Sequence, residues 1–423
     1  MSIVQIKGDK AQIRYARKST LVMLSGGAKS TAILYDLLKN TDDIVLVHHV
    51  HYTSPFSEHI AQSHSCKKIV EWLRQNTRDF AYSESVADYK GLAYHADKLQ
   101  AISAEIGLIG GNFHLKHARP LLQALIGSES TEDESDRIPS FQVIANAYAF
   151  PYPAPKIATG SPPAQEQSLP PELKAMTWNC ERPVIAGEGL FAECGYCKSC
   201  RGEKARSKEQ KSGSKSTGGN EPAMLIMLSG GIDSVYQLYR FLKDDDRQVI
   251  AHHINLINDD GRWQIEAERT LKIVKWCREN MRDFIYSEST LDHRGFHATG
   301  YDIMPVLHTL ATSVRYFSDT QAFDIQKAVI GWCKEETADP NRQKHVVELF
   351  RELCAPYEPP SRDLGEVLPK LEQIRRMPAE LVELSWTCRR PVPKEDGTVA
   401  ECGVCHTCEL MAQVREQQRL QNA

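Results

Sequence analysis

The sequence predicts an α/β protein of two tandem Rossmann-like domains, each a doubly wound parallel sheet followed by a C-terminal four-cysteine element that binds zinc. Three observations predict it. The chain repeats itself at an offset of 204 residues; each repeat opens on an apolar run that breaks at Ser-Gly-Gly into a helical pattern; and each ends on the same cysteine spacing.

The repeat is legible from end to end. Leu24–Ser30 reads LSGGAKS and Leu228–Ser234 reads LSGGIDS, and His48-His49 meets His252-His253 at the same offset. KIVEWLRQNTRDFAYSES from Lys68 matches KIVKWCRENMRDFIYSES from Lys272, while Trp178-Asn179-Cys180 matches Trp386-Thr387-Cys388 at an offset of 208, so four residues have been inserted between. Self-similarity of this length and order implies duplication. Between the copies, Arg201–Asn220 is charged, rich in Ser and Gly and almost free of apolar residues, the composition of a flexible linker. The domains are therefore expected at 1–205 and 222–423, joined by a linker over 206–221.

Within each copy the elements follow in order. Apolar runs at Leu21–Leu24 and Met224–Leu228 predict a buried first strand. Ala32, Ile33, Leu34, Leu37 and Leu38 in copy one, and Val235, Leu238, Tyr239 and Leu242 in copy two, mark the apolar face of the following helix. A second strand is expected over Ile44–Val50 and Gln248–Ile254, then a helix around KIV-W, then a third strand over DFAYSES and DFIYSES. EIGLIGG (from Glu105) and QKAVIGW (from Gln326) each predict a helix end running into a fourth strand. GSESTEDESDR from Gly127 is expected to be a surface loop, and the proline-rich stretch from Tyr152 to Pro171 to be extended.

A Ser-Gly-Gly turn between a buried strand and a helix suits phosphate. Glycine lets the backbone approach an anion, and the helix N-terminus offers unpaired N–H groups and the positive end of its dipole. The binding candidates are Ser229, Gly230, Gly231, Asp233 and Ser234 in copy two and Ser25, Gly26, Gly27 and Ser30 in copy one, with Asp233 and Ser234 as the catalytic candidates. Ser229 and Ser234 would add hydroxyl donors; Asp233 would order the loop or meet a phosphate-bound Mg2+. A glycine turn that merely links strand to helix is the plainer alternative. Copy one carries Lys29 in place of Asp233, and Gln62 and His64 in place of Glu266 and Glu268, which predicts a non-catalytic copy.

Eight of the twelve cysteines form two quartets: Cys180, Cys194, Cys197 and Cys200, and Cys388, Cys402, Cys405 and Cys408, both C-x13-C-x2-C-x2-C. Two CxxC steps and a returning fourth thiolate suit tetrahedral Zn2+ with no open position, hence a structural metal; an iron–sulfur cluster is the alternative. Cys66, Cys277, Cys333 and Cys354 read as small buried apolar residues.

SGGIDS at Ser229–Ser234 resembles the pyrophosphate loop of the N-type ATP pyrophosphatases, which have an adenine nucleotide alpha hydrolase-like fold. With the C-terminal cysteine cluster, the chain resembles the 7-cyano-7-deazaguanine synthases, the QueC family, duplicated in tandem. The resemblance implies ATP with Mg2+, adenylation of a 7-deazaguanine carboxylate or amide, ammonia as nitrogen donor, and a structural zinc. It also implies that the two copies form an intramolecular pseudo-dimer. The chain departs from the family after the second strand, where Asn255-Leu256-Ile257-Asn258 and His51-Tyr52-Thr53-Ser54 stand in place of Asp-Tyr-Gly-Gln, and at Tyr301-Asp302, in place of Arg-Asn.

A net charge of −4 does not support a protein that grips nucleic acid by charge, and no apolar span of membrane length or signal-peptide core is present, so a cytoplasmic protein is expected. The paired histidines and the Tyr-Ser-Glu-Ser segments (Tyr82–Ser85 and Tyr286–Ser289) end strands at the ligand-facing edge, but structural roles are the stronger expectation for both. The competing function is an inactive scaffold that acts through a protein or nucleic-acid partner.

Overall fold

The computed structural model describes residues 2–7, 10–15, 17–53, 58–88, 98–127, 132–159, 167–180, 182–187, 190–195, 197, 200, 221–258, 260–293, 302–320, 323–336, 340–354, 361–363 and 367–422. The chain divides into two compact units, Met1–Ala87 with Lys98–Ser212, and Gly213–His297 with Asp302–Ala423. Of the expected linker, 206–220 lies outside the described residues, and Glu221 opens a strand.

In the first unit, β1 (Ser2–Lys7) pairs antiparallel with β2 (Lys10–Tyr15). There follow β3 (Ser19–Met23), α1 (Ala28–Asn40), β4 (Ile44–Thr53), α2 (Glu58–Asn76), β5 (Ala81–Asp88), α3 (Lys98–His117), β6 (Gln123–Ile126), α4 (Glu132–Ala149), β7 (Lys156–Thr159), α5 (Pro171–Ala175) and an antiparallel pair, β8 (Val184–Gly187) and β9 (Leu190–Ala192). The sheet order is β5-β4-β3-β6-β7, with β4, β3, β6 and β7 paired in parallel. All five residues of β3 are buried, as expected of a central strand covered on both faces.

In the second unit come β10 (Glu221–Met227), α6 (Ile232–Asp244), β11 (Gln248–Ile257), α7 (Trp263–Asn280), β12 (Ile285–Asp292), α8 (Ile303–Thr320), β13 (Phe323–Ile330), α9 (Pro340–Cys354) and β14 (Ser361–Asp363). α10 (Lys370–Arg376), α11 (Ala379–Leu384), the short hairpin of β15 (Val392–Pro393) and β16 (Val399–Ala400), and α12 (His406–Asn422) complete it. The sheet is β12-β11-β10-β13-β14, parallel throughout. Counted along the chain this order is 3-2-1-4-5, the doubly wound arrangement whose ligand crevice opens where the order reverses, beyond the carboxyl ends of strands 1 and 4. Val235, Leu238, Phe241 and Leu242 of α6 pack on Met224, Ile226, Val249 and Ala251 of the sheet. Truncating one of these, Leu238 for instance, would cost about 2–5 kcal/mol.

Two expectations need correction. EIGLIGG lies in the middle of α3, and the fourth strand of the first unit is β6, further on. A short apolar run with glycines fits a buried helix as well as a strand, and here the helix prevails. GSESTEDESDR is not all loop: Glu132 opens α4, while residues 128–131 lie outside the described residues. The proline-rich stretch from Tyr152 is extended at β7, as expected, residues 160–166 lie outside the described residues, and Pro171 occupies the first turn of α5, where its missing N–H costs no hydrogen bond. Among the described residues, no helix is long and apolar enough to cross a membrane.

Candidate functional site

The two Ser-Gly-Gly turns are built alike. Gly26 and Gly230 have φ of +80° and +78°, and a Cβ on Gly230 would stand 2.8 Å from Thr270 Oγ1 of α7. Neither conformation nor space admits another residue. In the second unit, the Ser229 N–H donates to Ser234 Oγ at 3.1 Å, Ser234 Oγ donates to Gly231 O at 3.0 Å, and the two hydroxyl oxygens lie 3.0 Å apart. Ser25, Gly27 and Ser30 repeat this pattern in the first unit. The Ser234 hydroxyl thus holds the turn in shape.

The histidine pairs brace the strands that carry the turns. Buried His252 is held between Ser287 and Ser289 at 2.8 and 2.9 Å, and buried His253 donates through Nδ1 to Leu228 O, the residue before the turn. Burial drives the pKa of His252 down to about 3 and that of His49 to about 4, so both rings are neutral. The serines of Tyr-Ser-Glu-Ser thus serve the histidines, and the tyrosine of each segment donates to its glutamate, Tyr82 to Glu84 and Tyr286 to Glu288.

A cavity of about 180 Å³ opens at the switch point of the second unit. Ser229, Gly231, Asp233 and Ser234 line it from the turn, Gly331 and Trp332 from the end of β13. Gly331 is compulsory, because a Cβ there would stand 2.4 Å from the backbone nitrogen of Ser234. Asp233 faces this space and forms an ion pair with Lys370 Nζ at 2.6 Å; the lysine side chain is 4% exposed. Lys370 begins α10, where its N–H donates to the Glu335 carboxylate at 3.1 Å. Opposite the turn, Arg262 Nη2 binds Asp302 Oδ2 at 2.5 Å, Arg389 Nη1 stands 3.6 Å from the same oxygen, and Arg262 Nε lies 3.5 Å from Glu266. Burial lifts the Glu266 carboxyl to about 7, against the opposing pull of Arg262.

The first unit differs where chemistry would occur. Asn179 Oδ1 accepts from the Ala28 N–H at 3.4 Å and lies 2.8 Å from where a Cβ of Gly27 would be, so the N-terminus of α1 is covered by its own chain. In the second unit Thr387 occupies that place and lines the cavity, while Gly231 has Ser229 Oγ and Trp386 O no nearer than 3.4 and 3.5 Å. Neither Lys370 nor Asn179 was singled out from the sequence. The Asn179–Thr387 difference is visible in the repeat, whereas Lys370 has no sequence signal.

Each cysteine quartet brings its four sulfurs within 4.8 Å of one another. Cys194 and Cys200, and likewise Cys402 and Cys408, have Sγ–Sγ distances of 3.9 Å, and Cys180 and Cys197 one of 4.0 Å. A tetrahedron with metal–sulfur bonds of about 2.3 Å has edges of about 3.8 Å, so both quartets have the geometry to hold a metal ion. Backbone N–H groups of Cys402 and Cys405 point at Cys388 Sγ and Cys402 Sγ at 3.2 and 3.3 Å, as thiolate ligands require. The quartets are tied to the turns: Trp386 donates its backbone N–H to Gly230 O at 2.9 Å and its indole N–H to Cys388 O, and Trp178 does the same to Gly26 O and Cys180 O. The other four cysteines are buried, with Cys277 and Cys354 pushed up to about 12 by burial, which makes them inert.

No protein-family model and no curated protein sequence matches the chain.

Proposed function

We propose that the second unit is an ATP-dependent adenylating enzyme and the first a non-catalytic copy of it, the two having arisen by duplication and acting as a pseudo-dimer. The Ser229–Ser234 turn holds the phosphates of ATP, and AMP passes to a carboxylate or amide oxygen of a small acceptor of the 7-deazaguanine type, with release of pyrophosphate. The observation that carries the reading is the Asp233–Lys370 ion pair, set at an open helix N-terminus beside a cavity at the switch point of the sheet. An ammonium on that spot complements phosphate charge. Asp233 then becomes available to a Mg2+ that enters with ATP.

Three further observations support it. The first-unit turn has lost the acid and is covered by Asn179. Both quartets fit structural Zn2+, with Cys180, Cys194, Cys197 and Cys200 holding one ion and Cys388, Cys402, Cys405 and Cys408 the other. Their task is to keep Trp178 and Trp386 on the turns. The cavity walls supply Arg262, Arg389 and Asp302 for an acceptor with both acidic and donor groups.

The test is pyrophosphate release by the purified chain from ATP and Mg2+ in the presence of 7-carboxy-7-deazaguanine, with Asp233→Ala and Lys370→Ala beside it. Release that depends on both residues is expected. ATP that neither binds nor is cleaved would leave the scaffold reading in its place.

A further inference from the structure

Glu266 stands out among the groups that line the cavity. It lies one turn into α7, the helix packed against the turn: a Cβ on Gly230 would touch Thr270 Oγ1 and come within 3.3 Å of Glu266 O. Its side chain is 13% exposed, and that exposure is to the cavity. The neighbouring charges are Arg262 and Asp260 at the start of α7, Asp302 at the start of α8, and Arg389 beyond the first cysteine of the quartet. Arg262 is committed to Asp302 at 2.5 Å, leaving Glu266 only a 3.5 Å approach to Nε. Three acids then face two arginines, while Asp233 and Lys370 cancel across the cavity and His252 is neutral. A group with this surplus can take up and release one proton near neutral pH, and Glu266, lifted by burial, is where that proton binds. The same place in the first unit is Gln62, of equal size and unable to take a proton, in the copy whose turn is covered.

We propose that Glu266 is the general base of the second unit, taking the proton from ammonia as it attacks the adenylated carboxylate. The inference rests on the adenylation reading above. The nitrogen lone pair forms the new C–N bond, the bond from the acyl carbon to the AMP oxygen breaks, and AMP leaves with that electron pair. The nitrogen proton moves to the Glu266 carboxylate and is later lost to water.

The experiment separates adenylation from aminolysis in the full-length protein. Labelled pyrophosphate exchange into ATP, with 7-carboxy-7-deazaguanine and without ammonium, reads adenylation alone; amide formation on adding ammonium chloride reads the second step. Glu266→Gln should keep exchange within about threefold of wild type and lose amide formation by about 100-fold or more, the range of general-base catalysis. Wild-type amide formation should fall below pH about 7 relative to Glu266→Gln at the same pH, a comparison that cancels the titration of ammonium itself. Formate should restore part of the rate to Glu266→Ala. Unfolding midpoints of the variants equal to wild type rule out misfolding as the cause. Amide formation by Glu266→Gln at the wild-type rate, or equal loss of exchange and amide formation, overturns the assignment and leaves the adenylation reading standing. Absence of exchange in the wild type removes the adenylation reading, and the base assignment with it.

Discussion

A double-mutant cycle on Asp233 and Lys370 tests the centre of the proposed site. The partners are 2.6 Å apart, with side chains 16% and 4% exposed, so the pair is effectively buried. Removing one member of such a pair leaves a charge without its counter-ion and costs about 3–5 kcal/mol. Asp233→Asn should cost more than Lys370→Met, because the lysine is the more deeply buried and its ammonium would have to be neutralised or dragged into the cavity. The double variant Asp233→Asn/Lys370→Met removes both charges and should recover about 2 kcal/mol or more of the summed loss, since replacing both members of a buried pair is near neutral. Guanidinium denaturation gives the three differences, provided that the slope with denaturant is unchanged. ATP affinity should behave differently. Lys370→Met removes a charge-assisted bond worth about 1.5–3 kcal/mol, a roughly 10- to 150-fold loss, and the double variant should not restore it. A coupling energy below about 0.5 kcal/mol would refute the packing argument. Recovery of ATP binding in the double variant would refute the assignment of Lys370 to phosphate.

Gly331→Ala should destabilise the second unit by about 1–3 kcal/mol and abolish ATP binding, because its Cβ would meet backbone atoms of Asp233 and Ser234 at 2.4–2.6 Å; calorimetry on the variant with ATP reads both. Elemental analysis should find two zinc ions per chain, falling to one in Cys388→Ser, and removal of that ion by a chelator should weaken ATP binding through Trp386 and Gly230. Titration calorimetry should count one nucleotide per wild-type chain; a count of two would contradict the covering of the first turn by Asn179. Acid should destabilise each unit before its carboxylates titrate. The folded pKa values of His252 and His49 lie below the unfolded 6.5, so their contribution is full above pH 6.5 and drains away as pH falls toward about 3 and about 4. Each costs about 1.4 kcal/mol per pH unit in that window, and His252→Gln should flatten the pH dependence of unfolding of the second unit.

The strand–turn–helix start of each unit could be read from the chain because it is local: an apolar run, a glycine turn and a 3.6-residue period are neighbours in sequence. The quartets were legible for a similar reason, since the spacing of ligands along the chain is itself the signature of a metal site. Lys370 was not, because 137 residues separate it from Asp233 and nothing in the local sequence distinguishes it from a surface lysine. Its meaning comes from α10 being folded back over the crevice. Asn179 was visible as a difference between repeats, but its effect depends on Trp178 being held on Gly26, which is a tertiary fact. EIGLIGG, expected to be a helix end running into a strand, is helical throughout because a short apolar run with glycines suits a buried helix equally well. In the structure Gly107 lets α3 pack closely on α4, where a Cβ would stand 2.4 Å from Ala145 O.

The bond from Trp386 to Gly230 makes the cysteine quartet and the turn parts of one equilibrium. Whatever fixes Cys388 narrows the freedom of Gly230, and whatever fixes Gly230 narrows that of Cys388. Reciprocity then requires that a nucleotide seated on the turn tighten the hold on the metal by the same factor as the metal tightens the hold on the nucleotide. If the turn holds ATP and the quartet zinc, as proposed above, zinc shortage would empty such sites first in molecules not engaged with ATP, and nucleotide supply would govern how long each molecule keeps its metal.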